Sequence, residues 1–419
     1  MEASLKASDD RLTKILLAVA GLLFVGVIAL GAYFLGRESA QASTAPASTS
    51  SAPVSTEFDY DVLNQIRSLL DRYYVKPDNL DDSSLFEAAV NGMLGILDDY
   101  GTFYMDPRTV RLDTTVSGAF EGIGVTISEQ SGEIVIVAPI KGTPAEKAGL
   151  STGDVIIAVD GEPTKGWKAE EAQLRIRGQR GTPVAITIRH PDNTQQVYNL
   201  TRATVEVPSV TTTPPSGALK DASGADVSDI GYVAISSFSV RTAQELEKAV
   251  KEQVDKGVKG LIVDLRYNGG GLRDTAISST DLFLDSGLIV VQEDRDGTRT
   301  EFNAKRGDPT GGMPIVVVQN KYSASAAEIV AAALRDNGRA IIVGETSYGK
   351  GTVNQSERLA NGGALFVSVA HWLTPLGVKI DHVGVLPDVE VQLSDEDIDL
   401  RRDAQLMRAV DELRKRTAK

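Results

Sequence analysis

The chain has 419 residues, enough for two or three domains with cores of their own. Its 57 acidic residues outnumber 43 Lys and Arg, and the net charge of −14 repels phosphate backbones, which excludes nucleic acid as a partner. Cysteine is absent, which rules out disulfides and thiolate metal sites.

Residues 15–35 carry no charge, and about 20 apolar residues suffice for a membrane-spanning helix. Lys6, Arg11 and Lys14 precede the run and only Arg37 follows closely, so the positive-inside bias puts the N-terminus in the cytoplasm. A cleaved signal peptide ending at Ala40-Gln41-Ala42 is the rival reading. Its apolar region would span about 7–15 residues, so the longer run favours a retained anchor. Residues 38–56 are nearly all Ser, Ala, Thr and Pro, a flexible tether.

From Phe58 a helical pattern begins, with Val62, Ile66, Leu69, Leu70 and Tyr73 at helical spacing. A second helix is predicted over 84–97, carrying Phe86, Val90, Met93, Leu94 and Leu97 on one side. Asp98-Asp99-Tyr100-Gly101 breaks it. From Gly118 the pattern changes to short strands at 124–128, 134–138, 154–159, 184–189 and 196–201, with helical pieces at 145–149 and 168–177. A turn-rich link over 208–224 follows. The last domain alternates strands at 231–236, 260–264, 288–292, 314–319, 340–343 and 365–370 with helices at 242–256, 273–283, 326–335 and from Ser394 onward. Apolar runs such as Ile315-Val316-Val317-Val318 predict strands buried on both faces of an α/β layered core.

Ser325 stands before a strong helix former, Ala326 to Leu334, where free N–H groups and the helix dipole stabilise developing negative charge. Ser323 or Ser325 as a plain helix cap explains the same residues. Lys350 lies between Gly349 and Gly351, and a lysine acts as a base only when neutral, which burial favours. Val343, Tyr348 and Val353 are the candidates to desolvate it; a surface lysine in a glycine turn is the bland alternative. Gly344 to Lys350 nearly spells a phosphate-binding loop, but that motif needs Ser or Thr where Gly351 stands, and a β-like segment follows in place of a helix. Asp264-Leu265-Arg266-Tyr267-Asn268-Gly269-Gly270-Gly271 closes a buried strand with a turn able to present N–H groups to an oxyanion, or with an ordinary strand-to-helix turn. Gly122-Ile123-Gly124-Val125 precedes a strand and could clamp a peptide carboxylate, or could be a hairpin turn. None of His190, His371 and His382 has a triad-like local signature.

Together these residues resemble the C-terminal processing, or tail-specific, proteases: serine peptidases with an embedded PDZ domain and a Ser-Lys dyad. The resemblance runs from about Phe58 to Leu393. It rests on Gly92-Met93-Leu94 with Leu97-Asp98-Asp99-Tyr100, Gly122-Ile123-Gly124-Val125, and Thr143-Pro144-Ala145 through Gly149-Leu150 with Gly153-Asp154-Val155-Ile156. Asp264-Leu265-Arg266, the Ser323 to Ile329 segment, Gly349-Lys350-Gly351-Thr352-Val353 and Pro387-Asp388-Val389 complete it. It implies Ser325 as nucleophile, Lys350 as general base, and oxyanion donors among the N–H groups of Ala326, Gly270 and Gly271. The family's acidic residue falls on Asp336, eleven helical residues or about 16 Å from Ser325, which makes it structural. Two departures stand out. Ala327 replaces a frequent third serine, and Asn354, with Gln355 beside it, occupies the place of a glutamine that helps position the base.

The implied fold class is a multidomain α+β chain. A cytoplasmic stretch (1–14), a transmembrane anchor (15–36) and a linker (37–56) lead into a small helical domain (57–115). A PDZ domain (116–205), an α/β protease core of the crotonase-like layered type (206–393) and a C-terminal helix (394–419) follow. The implied function is a membrane-anchored endopeptidase whose catalytic part lies outside the cytoplasm, needing neither metal nor cofactor. Its partners are protein substrates with exposed C-termini and a second copy of the chain, and an adaptor protein is admitted. Competing readings are a PDZ scaffold with an inactive protease fold and a crotonase-type acyl-transfer enzyme.

Overall fold

The computed structural model describes residues 58–76, 80–99, 101–305, 307–400 and 402–417. The predicted anchor and tether lie outside them, and among the described residues no helix is long and apolar enough to cross a membrane. The chain forms two compact units, Met1–Leu80 and Asp81–Lys419. The boundary divides the stretch 57–115 that the sequence suggests as one helical domain. In the first unit, helix α1 (Tyr60–Tyr73) starts at Asp59, whose Oδ1 accepts from the N–H groups of Asp61 and Val62 at 3.0 and 3.1 Å. Its predicted stripe forms, yet Val62, Ile66, Leu69 and Tyr73 all stay exposed.

The second unit opens with α2 (Asp82–Leu94), capped by Asp81, and a short 3-10 turn, Gly95–Leu97. A strand the helical reading did not include, β1 (Phe103–Met105), follows, and then α3 (Pro107–Leu112). The next strands are β2 (Ala119–Gly122), β3 (Val125–Gln130) and β4 (Glu133–Pro139), then α4 (Pro144–Lys147), β5 (Val155–Val159) and β6 (Glu162–Pro163). Helix α5 (Ala169–Ile176), β7 (Pro183–Arg189), β8 (Gln195–Thr201) and β9 (Ala203–Glu206) close this module. Its main sheet is antiparallel in the order β3-β4-β5-β7-β8. Strict alternation along β7 sends Val184, Ile186 and Ile188 into a core shared with Ile123, Ile134, Ile136 and Ile156. Strand β3 is the edge strand, with α5 packed beside it.

The remaining elements are β10 (Val210–Thr211), β11 (Leu219–Lys220), β12 (Asp226–Val227), β13 (Ile230–Ile235), α6 (Thr242–Asp255), β14 (Gly260–Asp264) and α7 (Arg273–Thr280). After them come β15 (Leu288–Asp294), β16 (Arg299–Asn303), β17 (Ile315–Gln319), α8 (Ala326–Asp336), β18 (Ala340–Gly344), β19 (Thr352–Arg358) and β20 (Ala364–Leu373). The chain finishes with β21 (Val389–Glu390), α9 (Asp395–Asp399) and α10 (Ala404–Thr417). A six-stranded sheet, β10-β13-β14-β17-β18-β21, is parallel except at its β10 edge. Along β17, Ile315 and Val317 join a core with α6, α7 and α8, while Val316 and Val318 face a second core with Leu406, Val410 and Leu413 of α10. Burial on both faces is why the run is continuously apolar. Leu406, Val410 and Leu413 of the C-terminal helix therefore pack on the chain's own protease core. A second, antiparallel sheet holds β1, β20, β15, β16 and β19.

Candidate active site

Strands β14, β17 and β18 are adjacent and parallel, so the loops leaving their carboxyl ends meet at one sheet edge. Those loops carry the glycines 269–271, the serines and Lys350. Ser325 caps α8 with φ 56° and ψ −116°, a conformation that strains any residue with a Cβ. Ser323 is buried; its hydroxyl donates to the Leu265 carbonyl at 2.9 Å and accepts from the Asn320 N–H at 3.0 Å. That hydroxyl ties two loops together, whereas Ser325 stands at the helix start.

Gly270, at φ 103°, presses its backbone against the nucleophile turn: a Cβ there would lie 2.8 Å from Ser325 Cβ and 3.1 Å from Ala326 N. Its own amide, however, donates to Asn268 Oδ1 at 2.8 Å. Asn268 is fully buried, donates to the Ile235 carbonyl at 2.8 Å, and accepts at its own carbonyl from Ala324 N–H at 2.9 Å. Of the expected oxyanion donors, Gly270 is thus used inside the turn, and Gly271 and Ala326 remain.

Glu328 joins these residues without having stood out in the sequence as a site residue. Its carboxylate is fully buried and takes four donors: Ser347 Oγ at 2.6 Å and Gly349 N–H at 2.7 Å on one oxygen, Ser325 N–H at 2.6 Å and Lys350 N–H at 3.0 Å on the other. Burial pushes its carboxyl pKa up, against the pull of those donors. Among the described residues no hydrogen bond joins Lys350 Nζ to Ser325 Oγ; this carboxylate is what connects the two backbones. The Ser-x-x-Glu spacing of a helix-start box was the available signal.

Lys350 is partly buried, and burial lowers its pKa, opposed by the charges of Asp99 and Glu328. The three residues expected to desolvate it face different ways. Tyr348 is 50% exposed, Val343 faces the core on the far side of the sheet, and Val353 packs on the near-side core. The ring over Nζ is that of Phe103, 5.3 Å to its centroid. Asn354 turns inward and its amide donates to the Gly101 carbonyl, whereas Gln355 is exposed and donates to Glu357. Gln355 is therefore not part of the site. Asp336 accepts from the Arg335 guanidinium at 2.8 Å, a structural pair. His190 contacts Asp154, His371 lies near Asp381, and His382 Nε2 contacts the Asp98 carbonyl.

In the strand-rich module a cavity of about 210 Å³ lies between edge strand β3 and helix α5. Phe120, Ile123, Gly124, Val125, Ile140 and Arg177 line it. The carbonyls of Ile123 and Gly124 accept from Ala145 and Ile140, which fixes the turn that precedes the open edge. An extended peptide can add to such an edge as a strand.

Residues 229–391 match peptidase family S41 and residues 112–189 match the PDZ domain. A carboxy-terminal processing protease (CtpA) of Bacillus subtilis strain 168 is 39% identical over 339 residues, 80% of this chain and 70% of that protein. A carboxy-terminal-processing protease of Bartonella bacilliformis is 37% identical, covering 79% of this chain and 74% of the relative. The chain belongs to the C-terminal processing protease family. It is a serine-type peptidase with a PDZ domain. A solved photosystem II D1 C-terminal processing protease is 29% identical, covering 84% of this chain and 97% of that one at a TM-score of 0.44. In this processing protease the strand-rich module is the PDZ domain, and the sheet edge with Ser325 lies within the matched peptidase region.

Proposed function

We propose that the chain cleaves protein substrates near their C-termini with a Ser325–Lys350 dyad, after its PDZ groove has taken up the tail. The carrying observation is the pairing of a strained serine at a buried helix N-terminus with a desolvated lysine on the same carboxylate. Neutral Lys350 takes the proton of Ser325 Oγ as that oxygen attacks the scissile carbonyl carbon. The new C–O bond puts charge on the carbonyl oxygen, which the N–H groups of Gly271 and Ala326 stabilise. The lysinium returns its proton to the leaving amine as the C–N bond breaks, and water then attacks the acyl-enzyme by the same route. Substrate binding supplies the closure of Nζ on Oγ, a contact that commonly tightens only in the complex.

We read the core as crotonase-like in its layering, on the strength of the parallel sheet, its covering helices and the second sheet. The uncharged run 15–35 and its flanking charges support a retained anchor with the catalytic part outside the cytoplasm. The apolar spacing of Val62, Ile66, Leu69 and Tyr73 along α1 supports a homodimer.

The test incubates the purified full-length chain and its Ser325→Ala form with an unfolded protein bearing a free or an amidated C-terminus. Cleavage by the parent alone, with KM about tenfold higher for the amidated tail, is expected. Equal processing of both tails would remove the PDZ capture step, and cleavage by Ser325→Ala would remove the dyad.

A further inference from the structure

We propose that Asp99 is a positioning residue for Lys350, presented by the segment that enters β1 and completing the lysine's site from the N-terminal side. The inference rests on the dyad reading. Asp99 Oδ1 accepts from Gly101 N–H at 2.8 Å and lies 3.0 Å from Ser368 Oγ, and Oδ2 accepts from Thr102 Oγ1 at 2.5 Å. The same Ser368 hydroxyl is 2.9 Å from Thr352 Oγ1, two residues beyond Lys350, and Ser368 N–H donates to Thr102 Oγ1 at 3.0 Å. The Asn354 amide holds the Gly101 carbonyl from β19. Gly101 is wedged so closely that a Cβ would stand 2.1 Å from Ser368 Oγ and 2.2 Å from Thr352 Oγ1. Phe103 follows, stacked on Phe366 of β20 with centroids 4.7 Å apart, and puts its face over Lys350 Nζ.

Burial has the larger effect and favours the neutral amine, while a carboxylate and an aromatic face pull toward the charged form. Two carboxylates act on Lys350, Asp99 more strongly than Glu328. They differ in state. Burial pushes Glu328 up, while hydrogen bonds from Thr102, Gly101 and Ser368 overcome the burial of Asp99 and hold it below its ordinary range. Around the same loop, Asp381 stands against Gly351 with His371 and His382 beside it. When the serine proton moves to Nζ, a neutral amine becomes an ammonium. Ionised Asp99 stabilises that product without taking a proton, the part an aspartate plays behind a catalytic histidine.

The experiment uses the full-length chain and a fluorophosphonate, which acylates the serine without the PDZ step. Labelling rates are followed against pH for the parent, Asp99→Asn, Asp99→Glu and Lys350→Arg. Removing the negative charge makes the ammonium less stable, so the acid limb of Asp99→Asn moves to lower pH by about half a unit, with a plateau about tenfold lower. Asp99→Glu restores the limb to the parental position. An unshifted Asp99→Asn limb, with Lys350→Arg inert, overturns the role of Asp99 alone. Parental labelling by Lys350→Arg overturns the dyad itself. If Asp99→Asn does not fold, Ser368→Ala decides, because it loosens Asp99 and keeps its charge. Lower kcat at unchanged KM on a peptide substrate is then expected, and parental kcat overturns the proposal.

Discussion

Ser325 and Lys350 arrive at one sheet edge, but they are held by different means. The serine's setting is local and made of backbone: a helix N-terminus, a φ of 56°, and a glycine packed against Cβ. The lysine's setting is assembled from side chains on four separate segments: Glu328 on α8, Asp99 and Phe103 before and in β1, Asn354 on β19, and Ser368 on β20. A backbone turn is fixed once the fold forms. The lysine enclosure depends on a segment some 250 residues away in the chain, closing against β20. On the proposed dyad, the nucleophile is thus a property of the protease core, and the base is a property of the core together with its N-terminal neighbour.

The largest losses are expected at Ser325 and Lys350. Ser325→Ala should lose at least about a thousandfold in activity with an unchanged circular dichroism spectrum, since it removes the nucleophilic oxygen and little volume. An acyl adduct mapped to Ser323 would reverse the assignment. Lys350→Arg and Lys350→Met should be equally inactive, because arginine stays charged and cannot accept the serine proton. They should differ from Ser325→Ala in stability. Burial lowers the Lys350 pKa in the folded chain, so from that lowered pKa up to about 10 the unfolded chain binds more protons and stability rises with pH. Lys350→Met removes that penalty. Its Tm should exceed the parent's at pH 7, the gain fading as pH rises toward about 10. A lower Tm at pH 7 would mean the lysine's enclosure is not desolvating.

Glu328 holds both turns at once, and Glu328→Gln tests that bridge. The glutamine keeps the size but replaces one acceptor oxygen by a donor, which then faces either the N–H groups of Ser325 and Lys350 or the Gly349 N–H and the Ser347 hydroxyl. Leaving such a buried amide unpaired costs about 1–3 kcal/mol. Activity should fall about ten- to a hundredfold, mostly in kcat. A parental rate would show that neither turn depends on this carboxylate.

The two settings also differ in how far they could be read from sequence. The helix after Ser325 and the strand Ile315–Val318 were legible, because an alanine-rich stretch and a doubly buried apolar run each carry a local signal. Strand β16 (Arg299–Asn303) is nearly all exposed and polar, and β1 has three residues; neither is long enough or apolar enough to show a period. The C-terminal helix was legible while its destination was not, since Leu406, Val410 and Leu413 fit a partner chain and their own sheet equally well until the sheet is seen. The same limit hid the lysine's surroundings. Asp99 and Gly101 read as the end of a helix, and nothing local says that the break returns to a strand near the C-terminus.

The smallest effect belongs to the pair following the base. The strand's alternation, with a bulge between Val353 and Asn354, turns Asn354 toward the Gly101 carbonyl and Gln355 toward Glu357 at the surface. Asn354→Ala removes the link that holds the Asp99 segment to β19, and should lower kcat about three- to tenfold with KM little changed, the loss of one hydrogen bond of about 1 kcal/mol. Gln355→Ala should leave both constants at their parental values, because an exposed side chain paired two residues along its own strand contributes little. A defect in Gln355→Ala with none in Asn354→Ala would mean that the register of β19 is shifted by one when substrate is bound, since a one-residue slip exchanges the faces of a strand.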